Sequence, residues 1–156
     1  MGVTWLRSKL NGCYTERYKS GELYKEYEIK LDFNFKKNLL IWEMDRKGTS
    51  AGDHFKYIMP VASIDADKIR MEKNQCCIND PLYYETNEAE IFLPARNGSP
   101  VVRLFLIDKN GKEFQLEPDR AGMVIFIPTG AVLKTENLPE KCVKVIEMII
   151  RLSGNQ

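Results

Sequence analysis

The sequence predicts a mainly β fold, with antiparallel strands arranged as a barrel or sandwich and one helix closing the chain. Three observations carry this expectation. In Tyr27–Phe35, the apolar residues Tyr27, Ile29, Leu31, Phe33 and Phe35 alternate with Glu28, Lys30, Asp32 and Asn34. That period of two belongs to a strand with one face on a core and the other in water. Asn110-Gly111 stands between two apolar runs, a strong hairpin signal. Near the C-terminus the period changes, and Cys142, Val145, Ile146, Ile149 and Leu152 recur at spacings of three and four, the stripe of an amphipathic helix.

Taken in order, Val3–Leu10 makes a short helix carrying Trp5, Leu6 and Leu10, stopped by Asn11-Gly12, a pair suited to positive φ. Cys13–Tyr18 is a strand, and Lys19-Ser20-Gly21 turns the chain into the long strand Leu23–Phe35. The turn Lys36-Lys37-Asn38 leads into Leu39–Asp45, where Leu40, Trp42 and Met44 alternate with Ile41, Glu43 and Asp45. So short a link makes these two strands a hairpin. After the flexible connection Lys47–Asp53, His54–Ile64 places Phe55, Tyr57, Met59 and Val61 on one side, with Pro60 at an edge or bulge. Lys68–Ile78 is a strand, Asn79–Glu88 a loop and Glu90–Leu93 a short strand. Val101–Ile107 turns through Asp108–Gly111 into Lys112–Leu116, and Gly122–Ile127 follows, giving about seven or eight strands across 12–127.

The helix expected over 137–153 opens with Asn137 as N-cap and Glu140 completing a capping box. Pro139 sits in the first turn, where its missing N–H is harmless. Glu140 with Lys144, and Glu147 with Arg151, place acid before base at i, i+4. Val143, Met148 and Ile150 widen the apolar sector, which suits either a partner contact or broad burial against the sheets.

A chain of 156 residues without repeats or linker-like tracts reads as one domain over 1–156. Its 44% hydrophobic and 29% charged residues argue against disorder and against a membrane span. Lys plus Arg total 23 against 22 acids, interspersed, so no nucleic-acid partner is expected. The N-terminus has no signal-peptide core, and Leu6 stands where a myristoylation motif wants Ser or Thr; the expected location is cytoplasmic.

Candidate chemistry is sparse. Cys13, Cys76, Cys77 and Cys142 match no zinc spacing, and they read as small hydrophobes in a reduced compartment. His54 is the sole histidine, so any catalytic triad must use it, and no nucleophile motif accompanies it. Glu43, Asp45, Asp65 and Asp67 are carboxylates whose convergence a sequence cannot show, and the last two read as turn residues. No dinucleotide or P-loop glycine motif is present. The expectation is therefore a protein that is not an enzyme and uses no cofactor or metal. Tyr83 and Tyr84 have two readings, as an exposed aromatic pair on a partner surface or as a cap on a barrel end.

Antiparallel strands followed by one amphipathic helix over about Gly12–Gly154 resemble the pleckstrin-homology-like barrel, whose helix plugs one end of two orthogonal sheets. The tryptophan usual in that helix is absent from Leu138–Leu152, and Arg17, Lys19 and Lys25 alternate with Glu16, Glu22 and Glu26. Inositol-lipid binding is therefore not part of what the resemblance implies. A lipocalin-like barrel is the rival, with Gly12-Cys13-Tyr14 in place of its Gly-x-Trp entry. Phe33, Phe35, Trp42, Phe55, Phe105 and Phe126 form the inferred interior, filling a small barrel in the first case and lining an apolar cavity in the second. The expected function is a noncatalytic interaction module for protein or another macromolecule; the alternative is a carrier of a small apolar ligand.

Overall fold

A computed structural model describes residues 2–17, 20–21, 23–47, 54–76 and 86–154. Among them are nine strands in two antiparallel sheets, one more than the seven or eight expected. The strands are β1 (Gly12–Arg17), β2 (Leu23–Asn34), β3 (Leu39–Lys47), β4 (His54–Pro60), β5 (Arg70–Cys76), β6 (Thr86–Pro94), β7 (Val102–Ile107), β8 (Glu113–Arg120) and β9 (Gly122–Ile127). One sheet runs β1-β2-β3-β4-β7-β8 and the other β5-β6-β9. The helices are α1 (Gly2–Leu10), α2 (Thr129–Lys134) and α3 (Leu138–Gly154). Among the described residues no helix is long and apolar enough to cross a membrane.

The alternation in β2 does what its period requires. Tyr27, Ile29, Leu31 and Phe33 are buried, and β3 answers in register, with Leu31 opposite Trp42 and Phe33 opposite Leu40. Slipping either strand by one residue would turn this apolar set to solvent, so burial fixes the register. Phe35, expected inside, is 52% exposed. The strand ends at Asn34, whose side chain accepts the Lys37 N–H, and Asn38 closes the turn in a left-handed conformation (φ 56°). Phe35 therefore leaves the strand and stacks on Phe33 with ring centroids 5.8 Å apart.

Aromatic rings fill the space between elements. Tyr27 meets Tyr14 at 6.2 Å and Phe126 of the second sheet at 5.9 Å, while Trp42 lies 5.7 Å from Phe55 and 5.8 Å from Tyr57. Phe105 does not join them. In β7 Val102, Leu104 and Ile107 are buried, while Phe105 is half-buried on the face opposite Leu104, beneath the Lys56 ammonium and the Arg103 guanidinium.

The sheets are stitched where strands pass from one to the other. β4 stops at Pro60, earlier than the expected Ile64, because Val61–Ser63 form a 3-10 turn; Ile64 then bridges to Ala95. β8 gives way to β9 across Ala121 alone, and the Ala121 carbonyl accepts the Ala95 N–H at 2.8 Å. Pro118 is tolerated in β8 because this strand is the sheet edge and its register with β7 shifts between Val102 and Leu104. β6 begins at Thr86, inside the expected loop.

α1 buries Leu6 and Leu10, and α3 buries Leu138, Cys142, Ile146, Ile149 and Ile150 in the same core. Leu152 departs from the expected stripe and is 59% exposed in the final turn. Asn137 precedes α3 as expected, but in a left-handed conformation (φ 53°), and its contribution is a carbonyl that accepts the Lys141 N–H. Glu140 does not complete a capping box. Its carboxylate pairs with Lys73 of β5, and Arg151 pairs with Asp67, so tertiary partners take the charges expected to pair along the helix.

Candidate functional site

Of the large apolar side chains exposed among the described residues, Leu133 lies on α2 and Met148 and Leu152 lie on α3, the two helices that follow β9; Phe35 and Phe114 lie elsewhere. α2 starts after Pro128 and buries Thr129 and Ala131. Gly130 lies so close to β1 that a Cβ there would sit 3.2 Å from the Tyr14 ring. Leu133, by contrast, is 71% exposed. On α3 the buried residues define one face, and the rotation of about 100° per residue puts Lys141, Lys144, Met148 and Leu152 together on the outward side. All four are exposed, Met148 at 47%.

A cleft of about 380 Å³ opens where α2, the start of α3 and the second sheet meet, lined by Lys73, Glu88, Val132, Leu133, Glu136 and Pro139 among others. The Lys73–Glu140 ion pair ties β5 to α3 beside it. The hydrogen bond from Lys73, ahead of the partial desolvation that opposes it, holds the Glu140 carboxyl below its ordinary value. Lys73 and Glu88 belong to the β5–β6 pair, whose connection contains Tyr83 and Tyr84. Both tyrosines, and Cys77, lie outside the described residues.

The four carboxylates singled out by sequence divide between two places. Glu43 and Asp45 converge on His54: Nε2 lies 2.6 Å from Glu43 Oε1, and Nδ1 lies 4.0 Å from Asp45 Oδ2. The register explains it, since Asp45 sits opposite His54 and Glu43 opposite Lys56, so a diagonal brings Glu43 to the imidazole. Asp65 and Asp67 occupy a 3-10 turn in which Asp65 accepts the Asp67 N–H. They line a second cleft of about 340 Å³ with Arg96, Ile150 and Arg151; Asp67 accepts from Arg151 at 2.8 Å, and Arg96 Nε donates to the Ala62 carbonyl. Neither cleft is lined by His54.

Among the described residues no three His, Cys, Asp or Glu side chains are placed to hold a metal ion. Cys13 is an exposed thiol, whereas Cys142 is fully buried and its thiol is pushed up to about 12 by desolvation. Two features of this surface escaped sequence reasoning. α2 spans 6 residues, too few to display a helical period, and the exposure of Leu133 on it is therefore not written in a periodic pattern. No protein-family model, curated protein or solved structure matches the chain.

Proposed function

We propose that this protein is a noncatalytic interaction module that holds a protein partner on its α2–α3 surface. The observation that carries this reading is the exposure of Met148 and Leu152, one turn apart on α3, and of Leu133 on the preceding α2, each 47% or more exposed. Covering apolar surface is worth about 25 cal/mol per Å², and contiguous exposed apolar side chains mark contact sites more often than isolated ones do. Tyr83 and Tyr84 enter this reading from the sequence alone, as candidate aromatic contacts for a partner.

The pleckstrin-homology-like analogy enters here as architecture: two antiparallel sheets and a C-terminal helix that lays its apolar face on their core. The Tyr14–Tyr27–Phe126 and Phe55–Trp42–Tyr57 ring contacts support a filled interior. One observation favours the carrier reading instead. The Trp42 indole N–H is buried and has no hydrogen-bond partner among the described residues, a need that an acceptor atom of an internal ligand would meet.

A photoreactive residue placed in turn at Leu133, Met148 and Lys30, the last on the open face of β2, tests the proposal in the cell of origin. Cross-links to another protein are expected from the two helix positions and not from Lys30. Native mass spectrometry runs beside it. A mass a few hundred daltons above the denatured chain, without helix cross-links, would replace the module by the carrier.

A further inference from the structure

We infer that the segment seated on α3 is an acidic one: a stretch of the partner carrying Asp or Glu at one end and apolar side chains at the other. This deepens the interaction-module reading and rests on it. The outward stripe of α3 runs Lys141, Lys144, Met148, Leu152 over about 16 Å, at 1.5 Å per residue. Charge and apolarity are separated along it. The two lysines stand toward the start of the helix, and the two apolar side chains stand near its end.

The neighbouring charges are already matched. Arg151 is bound to Asp67, and Glu140 to Lys73. Glu147 sits on the Arg151 flank, where it adds to the field that favours the charged guanidinium. Lys141 and Lys144 make no ion pair among the described residues, so two positive side chains on one helix face are free to meet an acidic group from outside. An acidic segment supplies that group while its apolar end covers Met148 and Leu152.

Two other occupants fit less well. A second copy of α3 would set lysines against lysines if parallel, and Lys144 against Leu152 if antiparallel about Met148; neither brings an acid to the stripe. An anionic membrane favours apolar side chains flanked by free cations on both sides; here the unpaired lysines lie at one end with Glu136 exposed beyond them, and Arg151 at the other end is held by Asp67.

The probes are three synthetic amphipathic helices of about 18 residues with the same leucine face, whose flanking positions are all Glu, all Gln or all Lys. Binding to the full chain is followed by fluorescence anisotropy. The Glu helix is expected to bind about tenfold more tightly than the Gln helix at low salt, with the advantage shrinking as salt rises. The doubly reversed chain K141E/K144E, whose changes are both at exposed positions, is expected to prefer the Lys helix. Equal binding of all three peptides overturns the inference, as does a dimer joined through α3. Binding to phosphatidylserine vesicles that K141E/K144E abolishes, without peptide discrimination, also overturns it in favour of a membrane. Partner cross-links from Met148 that survive K141E/K144E would overturn the acidic segment and leave the module standing, whereas an absence of cross-links would remove both.

Discussion

The Asn11 side chain pairs with both backbone groups of Leu31: Oδ1 accepts the Leu31 N–H at 2.7 Å, and Nδ2 donates to the Leu31 carbonyl at 3.2 Å. The β1–β2 ladder ends at Gly12 opposite Ile29, so Asn11 extends it by one step with a side-chain amide while its own backbone turns back into α1. An unpaired backbone group in such a place costs more than a hydrogen bond gains, about 1–3 kcal/mol. Asn11→Ala is expected to lose stability in that range in urea unfolding, and Asn11→Asp, which keeps the acceptor, to lose less. A loss under about 0.5 kcal/mol for the alanine variant would show that water replaces the amide without penalty.

The two sides of α3 are expected to respond differently to truncation. Ile146 is fully buried, so Ile146→Ala removes packed atoms and leaves a cavity, at a cost of about 2–5 kcal/mol. Met148 faces outward, and Met148→Ala is expected to stay within about 0.5 kcal/mol of the parent. Paired denaturation curves decide this, and similar losses at both positions would mean that the helix is rotated or covered.

Glu140 gives a pH dependence with a definite sign. Its folded-state value is lowered by Lys73, so the pair's stabilisation is complete above the ordinary carboxylate range and is lost as pH falls through the lowered value. Both side chains are more than a third exposed, which limits the effect to about 1 kcal/mol or less. Melting temperature against pH is expected to fall less steeply on the acid side for Glu140→Gln than for the parent. Superimposable acid limbs would mean that the ion pair contributes nothing.

The described thiols differ in reactivity for a physical reason. The thiolate is the nucleophile, and with its titration pushed up to about 12 Cys142 stays protonated and buried at mildly alkaline pH, while Cys13 is exposed. Iodoacetamide followed by peptide mapping is expected to label Cys13 in the native protein and Cys142 only after denaturant is added. Native labelling of Cys142 at a comparable rate would show that α3 detaches from the core.

How far the sequence was legible follows from which interactions are local. The alternation of β2 and the helical stripe of α3 are written within one segment, and burial agrees with both across Tyr27–Phe33 and Leu138–Ile150. Asn110-Gly111 likewise marks the β7–β8 turn, where Asp108 accepts the N–H groups of Asn110 and Lys112. What went astray was decided at a distance. Glu140 satisfies the local rule for a capping box, yet Lys73 reaches it from β5 and outweighs that rule. Phe105 looks like core by residue type, yet it lies half-buried on the face opposite Leu104, under two cations contributed by Lys56 and Arg103. The convergence of Glu43 and Asp45 on His54 depends on the β3–β4 register, which hydrophobic pattern alone leaves open where polar residues face one another.

Arg120 is the last residue of a strand in one sheet and Gly122 the first of a strand in the other, with Ala121 anchored between them. A mechanical load therefore has no slack to take up there. Tension applied to α2 and α3 runs back through β9 into the second sheet, and across one residue into the edge of the first. The two sheets would resist such a pull jointly rather than peel apart in sequence.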